Sequence, residues 1–413
     1  MTQTNYTHRF DNGLVLVAEE MNWLESAAFT LLVPVGCTRE PDDRAGLVGF
    51  TCEMVLRGAG ARDSRQFVEA LDYLGVERGE SVTDAHTSFS GATLAENLHD
   101  ALAIYADVLR RPHLPADQLE SARQVLLQEL QAVEDDPHHK LMVELRKRHF
   151  PAPWGRPNHG DLAGIEATTI ADIRQLHERF YRPNGALIGV AGRFDWQRLK
   201  DHVGQLLGDW PAREVPPIHE GQRGPRREHV DFDTNQTQIG IAYDSVPYRD
   251  PQYFQAWGGV GALSGGMSSR YFTEVREKRG LCYSVYATYV TQRDRGAVIS
   301  YAGTSADRAQ ETLNVMLAEL DRLKYGVYEQ ELERLKARIK SSLIMQQESS
   351  SARSGAIARD WYHLDRVRTM AEVGRLIDEL SCDSINRYLA EHPPRDFTIV
   401  TLGPQPLEVQ PGV

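Results

Sequence analysis

No stretch of the chain holds the roughly 18 consecutive apolar residues needed to cross a bilayer, so a helical membrane protein is excluded. The opening, MTQTNYTHRFDNG, is polar and lacks the apolar segment of a secretory leader. Cysteine is scarce. Cys37, Cys52, Cys282 and Cys382 stand apart, and without a CxxC pair neither a zinc knuckle nor a redox dithiol is indicated. Reduced thiols in a cytoplasmic protein are the expectation. Positive charge is also in deficit: 46 Lys and Arg face 58 Asp and Glu, a formal charge of −12. Such a field repels a polyanion, and no long basic run offers an exception, so nucleic acid is not an expected partner. What is present is ordinary, with 41% hydrophobic and 25% charged residues, which excludes collagen-like, disordered and short disulfide-stapled chains. At roughly 150 residues per domain, the chain has room for two or three domains with real cores.

Hydrophobic patterning divides the chain. The turn Asp11-Asn12-Gly13 before Leu14-Val15-Leu16-Val17 predicts an opening hairpin, and a second strand is expected over Phe29 to Val35. Leu47, Phe50 and Met54 have helical spacing, as do Leu119, Ala122, Leu126, Leu130 and Val133 after Pro115. Gly185 to Gly192 reads as a buried strand. Proline and charge then accumulate over 211–228, with no hydrophobic period, which is linker composition. The second half repeats the order: strands at Ile239 to Tyr243, Tyr283 to Tyr289 and Ala297 to Ala302, then long helices, then a closing strand at Phe397 to Leu402. The expected fold class is α+β, with two homologous domains from an internal duplication, each a mixed or antiparallel sheet packed with helices. Their boundaries are 1–210 and 229–413, with 211–228 between them.

Several ordered motifs carry a more specific signal. They are FDNGLVLVAEE, GCTREPDDRAG, GLVGFTCEMVLRGAG (Gly46 to Gly60), EDDPHH, PWGRPNHG, FYRPNGALIGVAGRFD and LSGGMSSRYFTEVREKRGLCYSVYATY (Leu263 to Tyr289). Together, over almost the whole chain, they resemble the insulinase/pitrilysin family of inverted zincins, including its processing-peptidase branch. The resemblance implies a metal helix bearing H-x-x-E-H, in which two histidines one turn apart reach zinc and the glutamate activates bound water. A further glutamate, 76 positions after the second histidine, completes the ligands.

On this chain the two histidine positions fall on Gly49 and Glu53, the base position on Cys52 and the distant glutamate on Glu129. The register is intact while three of four chemical groups are gone. Glycine offers no ligand, and a thiol is a poor substitute for a carboxylate base beside metal-bound water. A metal site improvised from Cys52, Glu53 and Glu129 is conceivable, but the remnant reading, with both glutamates hydrated or paired to a basic side chain, is preferred. Where the family tends to carry Asn-Ala-x-Thr, this chain has Gly79-Glu80-Ser81-Val82. The second half keeps its inventory. Arg276 and, seven residues on, Tyr283 stand where the resemblance implies contacts to substrate near the scissile bond and its oxyanion.

Other features are discounted. Gly258 to Gly266 fails both dinucleotide and P-loop patterns. His138-His139 after Asp135-Asp136 reads as a solvated helix end, Ser349-Ser350-Ser351 as a helix kink or break, and Cys282 as a packing residue. The resemblance further implies that two such domains form half of a clam-shell chamber, so that a second subunit is required. The expectation is a non-catalytic, substrate-binding subunit of a heterodimeric zinc metallopeptidase. It would bind no metal itself, its zinc-bearing homologous partner would supply the metal, and peptides or unfolded segments would be the substrate. A structural, scaffold-type homologue is the alternative, and a peptidase with a non-standard metal site a third reading.

Overall fold

Asn12 and Gly13 set the first strand pairing. In the computed structural model, which describes residues 3–409, Gly13 adopts a left-handed φ of 88°, and the Asn12 side chain accepts the Leu14 N–H at 3.2 Å. That turn aligns β1 (Thr4–Arg9) antiparallel with β2 (Val15–Glu20). β3 (Ser26–Val33) follows, then a two-residue hairpin of β4 (Gly58–Ala59) and β5 (Arg62–Asp63), then β6 (Glu77–Val82), β7 (Thr87–Leu94) and β8 (Leu187–Gly192). The large sheet has the order β1-β2-β8-β3-β7-β6, with only β2 and β8 parallel. One face buries Phe29, Leu31 and Phe89 against Phe50 and Met54 of the Leu47–Val55 helix and Tyr105 of the Leu98–Arg110 helix.

The second unit has its own sheet, formed by β9 (Arg227–Asp231), β10 (Gln236–Ser245), β11 (Cys282–Thr291), β12 (Gly296–Ser305) and β13 (Thr398–Gly403). Its order is β11-β12-β10-β13-β9, with only β13 and β9 parallel. Read from β9 inward, this path matches β2-β8-β3-β7-β6 of the first sheet, strand for strand and direction for direction. The two sheets are one topology used twice, with β1 added to the first. Ile239, Ile241, Val298 and Ile399 pack against Leu313, Met316 and Leu320 of the Ala309–Arg322 helix.

The compact units are not continuous in sequence. The first takes the chain up to Ala132, Ala152–Gly221 and Ile344–Thr369; the second takes Val133–Pro151, Gln222–Leu343 and the described residues from Met370 onward. This differs from the division at 1–210, 211–228 and 229–413, and the reason is that each sheet has two apolar faces to cover. In the first unit the outer face, Val15, Val17 and Leu187, is covered by Ile357 and Ala358 of the Ser350–Leu364 helix. Gly189 permits that approach, because a Cβ there would lie 2.5 Å from the Ser354 carbonyl oxygen. A buried ion pair, Arg353 to Glu19 at 2.6 Å, fixes the helix to β2. In the second unit the matching face, Ala242, Ile299 and Val400, is covered by Leu141 and Leu145 of the Pro137–His149 helix. Each sheet is therefore roofed by a helix from the other half of the sequence. Residues 211–221 are not a free tether either: the Pro216 and Glu214 carbonyls accept hydrogen bonds from Arg39 and Arg182.

Candidate functional site

Gly46, at φ 98°, turns the chain into the Leu47–Val55 helix, whose apolar side faces the first core. The helical repeat then sets Gly49, Cys52 and Glu53 at adjoining positions. A Cβ on Gly49 would meet only the Asn158 carbonyl oxygen, at 3.7 Å, so packing does not demand glycine there. Cys52 is 5% exposed. Burial first, then the charges of Glu80, Glu53 and Glu129, push its thiol far above the ordinary cysteine value. Such a sulfur stays protonated and is neither a base nor a ready metal ligand. Glu53 turns to Arg57, one helical turn on, which grips it through Nε at 3.0 Å and Nη2 at 2.7 Å. Arg57 also donates to Ser121 at 2.7 Å. Glu129, on the Leu119–Asp135 helix, has its pKa raised by partial burial and by the charges of Glu53 and Glu80.

The structure thus gathers Cys52, Glu53, Glu80 and Glu129 into one negative neighbourhood, but not into a coordination sphere. As donors for zinc they fit poorly, with one thiol held neutral, one carboxylate neutralised by arginine and no imidazole. Among the described residues, the only group of three or more such side chains whose ligand atoms lie within 4.8 Å of one another is Asp136, His138 and His139, on the other unit. Glu80, on the edge strand β6, was legible as a departure from the family pattern, but its place in the cluster was not. Arg57 was legible as an i+4 partner of Glu53.

The second unit carries a different chemistry. Arg276 lies in a wide π-helical turn, Phe272–Glu277, just before the edge strand β11. Its guanidinium carbon sits 4.9 Å from the Phe272 ring centre and 4.8 Å from that of Tyr283. Both distances are within cation–π range, so the cation rests against two rings. Among the described residues no carboxylate pairs with it, although the chain carries a net charge of −12. Tyr283 is the extra residue where the β11–β12 register shifts between Cys282 and Ser284. A bulge of this kind re-aims a side chain, and Tyr283 stands 84% exposed. Two groups that the sequence separates by seven residues are therefore in direct contact, one a half-buried guanidinium and the other an exposed tyrosine. Phe272, the residue missed from sequence, is one π-helical turn before Arg276. Cys282 beside them is pushed up to about 11 by burial, which suits a packing thiol.

The model of "Insulinase (Peptidase family M16)" matches residues 16–156, and that of "Peptidase M16 inactive domain" matches 167–339. An uncharacterized zinc protease of Mycobacterium tuberculosis is 28% identical over 401 residues, covering 95% of this chain and 91% of the relative. A peptidase M16 inactive domain from Pseudomonas fluorescens superposes with a TM-score of 0.88 at 22% identity, covering 98% of this chain and all of that one. A chain of Complex III2 from Candida albicans gives 0.81 at 19% identity, covering 96% and 95%, a likeness of fold alone. With matches to both of the family's domain types and motifs in family order from end to end, this chain belongs to the insulinase-type (M16) peptidase family.

Proposed function

We propose that the chain is the non-catalytic, substrate-binding subunit of a two-chain zinc metallopeptidase. A homologous partner supplies the zinc helix, and this chain supplies Arg276 and Tyr283 to a peptide or unfolded segment. The observation that carries the reading is the contrast between the two units. In one, the metal-helix positions hold Gly49, Cys52 and a Glu53 neutralised by Arg57. In the other, an arginine without an acidic partner is stacked on an exposed tyrosine. A guanidinium edge and a phenol hydroxyl are suited to a peptide carbonyl and to the negative charge that develops on it. On this reading the chain binds no metal of its own.

The test is co-expression with a homologue carrying an intact H-x-x-E-H. Co-elution as a heterodimer, with peptide hydrolysis that needs both chains, is the expected result. The fold-likeness to a chain of Complex III2 favours a second reading, a structural subunit. A stable homomer that never joins such a partner would transfer the assignment to it.

A further inference from the structure

We propose that the first unit contains an oxyanion-binding site, built by Arg39, Arg179 and Arg182 around Phe180, for a small ligand bearing a carboxylate or phosphate. The three guanidinium carbons lie 5.9, 5.2 and 5.4 Å from the centre of the one Phe180 ring. Among the described residues none of the three is paired with a carboxylate. Arg39 donates to the Pro216 carbonyl, and Arg182 donates through Nη1 to the Arg179 and Glu214 carbonyls. Arg182 is fully buried, and its Nε and Nη2 find no acceptor. Buried donors are ordinarily satisfied, and a cluster of like charges without a counter-ion opposes its own assembly. An acidic chain that keeps three such cations together has a site an anion would complete.

A cavity of about 610 Å³ opens beside Arg39 and Arg179, with the buried Arg182 behind its lining. Arg39, Arg179 and Phe180 line it, with Pro216, Pro217 and Ile218 as an apolar wall. The acidic groups on the lining have partners of their own, Glu40 through one of its two oxygens. Asp42 is paired with Arg156 at 2.5 Å, and Glu40 accepts the Val48 N–H at 2.9 Å. Burial, then the charges of Arg39 and Arg179, lowers Arg182 to about 10, which leaves it fully protonated at neutral pH. The arginine charge at the site is therefore permanent. Guanidinium edges grip oxyanions with charge-assisted, often bidentate bonds, and apolar walls shelter those bonds from water.

Titration calorimetry on the full chain at low ionic strength tests this. The probes are inorganic phosphate, a short N-acetylated apolar peptide ending in a free carboxylate, and the same peptide ending in an amide. The expected result is one site per chain for phosphate, the peptide acid or both, with no saturable binding of the amide. Phosphate alone would identify a phosphate-type ligand, and the acid alone a carboxylate. Arg179→Ala, at an exposed side chain with no polar partner among the described residues, and Arg39→Ala should each weaken binding at least tenfold. Arg65→Ala, at an exposed pair with Glu69, should leave it unchanged. Arg182→Ala, at a buried position, is to be read only alongside a circular dichroism spectrum. The absence of saturable binding for every probe, or binding unaltered in both Arg179→Ala and Arg39→Ala, would overturn the proposal.

Discussion

Replacing Glu40 by glutamine should remove a pH-dependent weakness from the first unit. Glu40 is 6% exposed, and it accepts the Val48 N–H at the start of the Leu47–Val55 helix. Its second oxygen is buried without a hydrogen-bond partner. Burial raises its pKa from the ordinary 4.5 to about 7, against partial relief from the Val48 and Gly46 amides and from Arg156. The folded chain thus holds a proton that the unfolded chain releases between pH 4.5 and about 7. Unfolding in that window releases protons, so stability falls as pH rises through it and levels off above. At about 1.4 kcal/mol per pH unit, the full loss is about 3 kcal/mol. Glutamine keeps an acceptor for Val48 and cannot ionise. Glu40→Gln should therefore match the wild type at about pH 4 and exceed it by about 2–3 kcal/mol at about pH 8. Denaturant unfolding across this range, with hydrogen exchange at the Leu47–Val55 amides, reads the difference. Parallel curves for the two proteins would refute the argument, because they would mean that Glu40 titrates alike in the folded and unfolded chain.

Tyr283→Phe should lower peptide hydrolysis by the assembled pair about 10²–10³-fold while the pair still co-elutes, since one hydroxyl is lost and the ring under Arg276 stays. Unchanged turnover would return the pair to ordinary packing. The purified chain should hold no stoichiometric zinc by elemental analysis, whereas the triple change Gly49→His, Cys52→Glu, Glu53→His, with Glu129 in place, should retain about one per chain after dialysis. A Cβ at Gly49 would make only an ordinary van der Waals contact, with the Asn158 carbonyl oxygen at 3.7 Å, so the first histidine can be built there. Glu19→Ala should cost about 3–5 kcal/mol in denaturant unfolding, because it strands the buried Arg353 charge, while Glu19→Met with Arg353→Met should cost far less. Equal costs for the single and double changes would show that the charge pair is not what matters there.

Some of this was present in the sequence because it is local. Asp11-Asn12-Gly13 encodes its own turn, Leu47, Phe50 and Met54 encode a helix, and the helical repeat places Gly49, Cys52 and Glu53 together without help from the rest of the chain. The absence of histidine from that helix and the seven-residue spacing of Arg276 and Tyr283 were legible for the same reason. Tertiary structure decided the rest. The apolar positions of the Pro137–His149 and Ser350–Leu364 helices say that each must be buried, but hydrophobic burial has no direction, so the pattern does not name the sheet. Only the folded chain assigns each helix to the sheet of the other half, where a glycine in the strand (Gly240 or Gly189) leaves it room. The register shift that brings out Tyr283 depends on how β11 pairs with β12, and its contact with Arg276 follows from that shift. Likewise, of Arg39, Arg179 and Arg182, the first lies in a separate stretch of sequence, and no motif links it to the other two. They become a cluster because a helix end, a short turn and the 211–221 segment converge on one phenylalanine, and the sequence of any one segment holds no record of the charges the others bring.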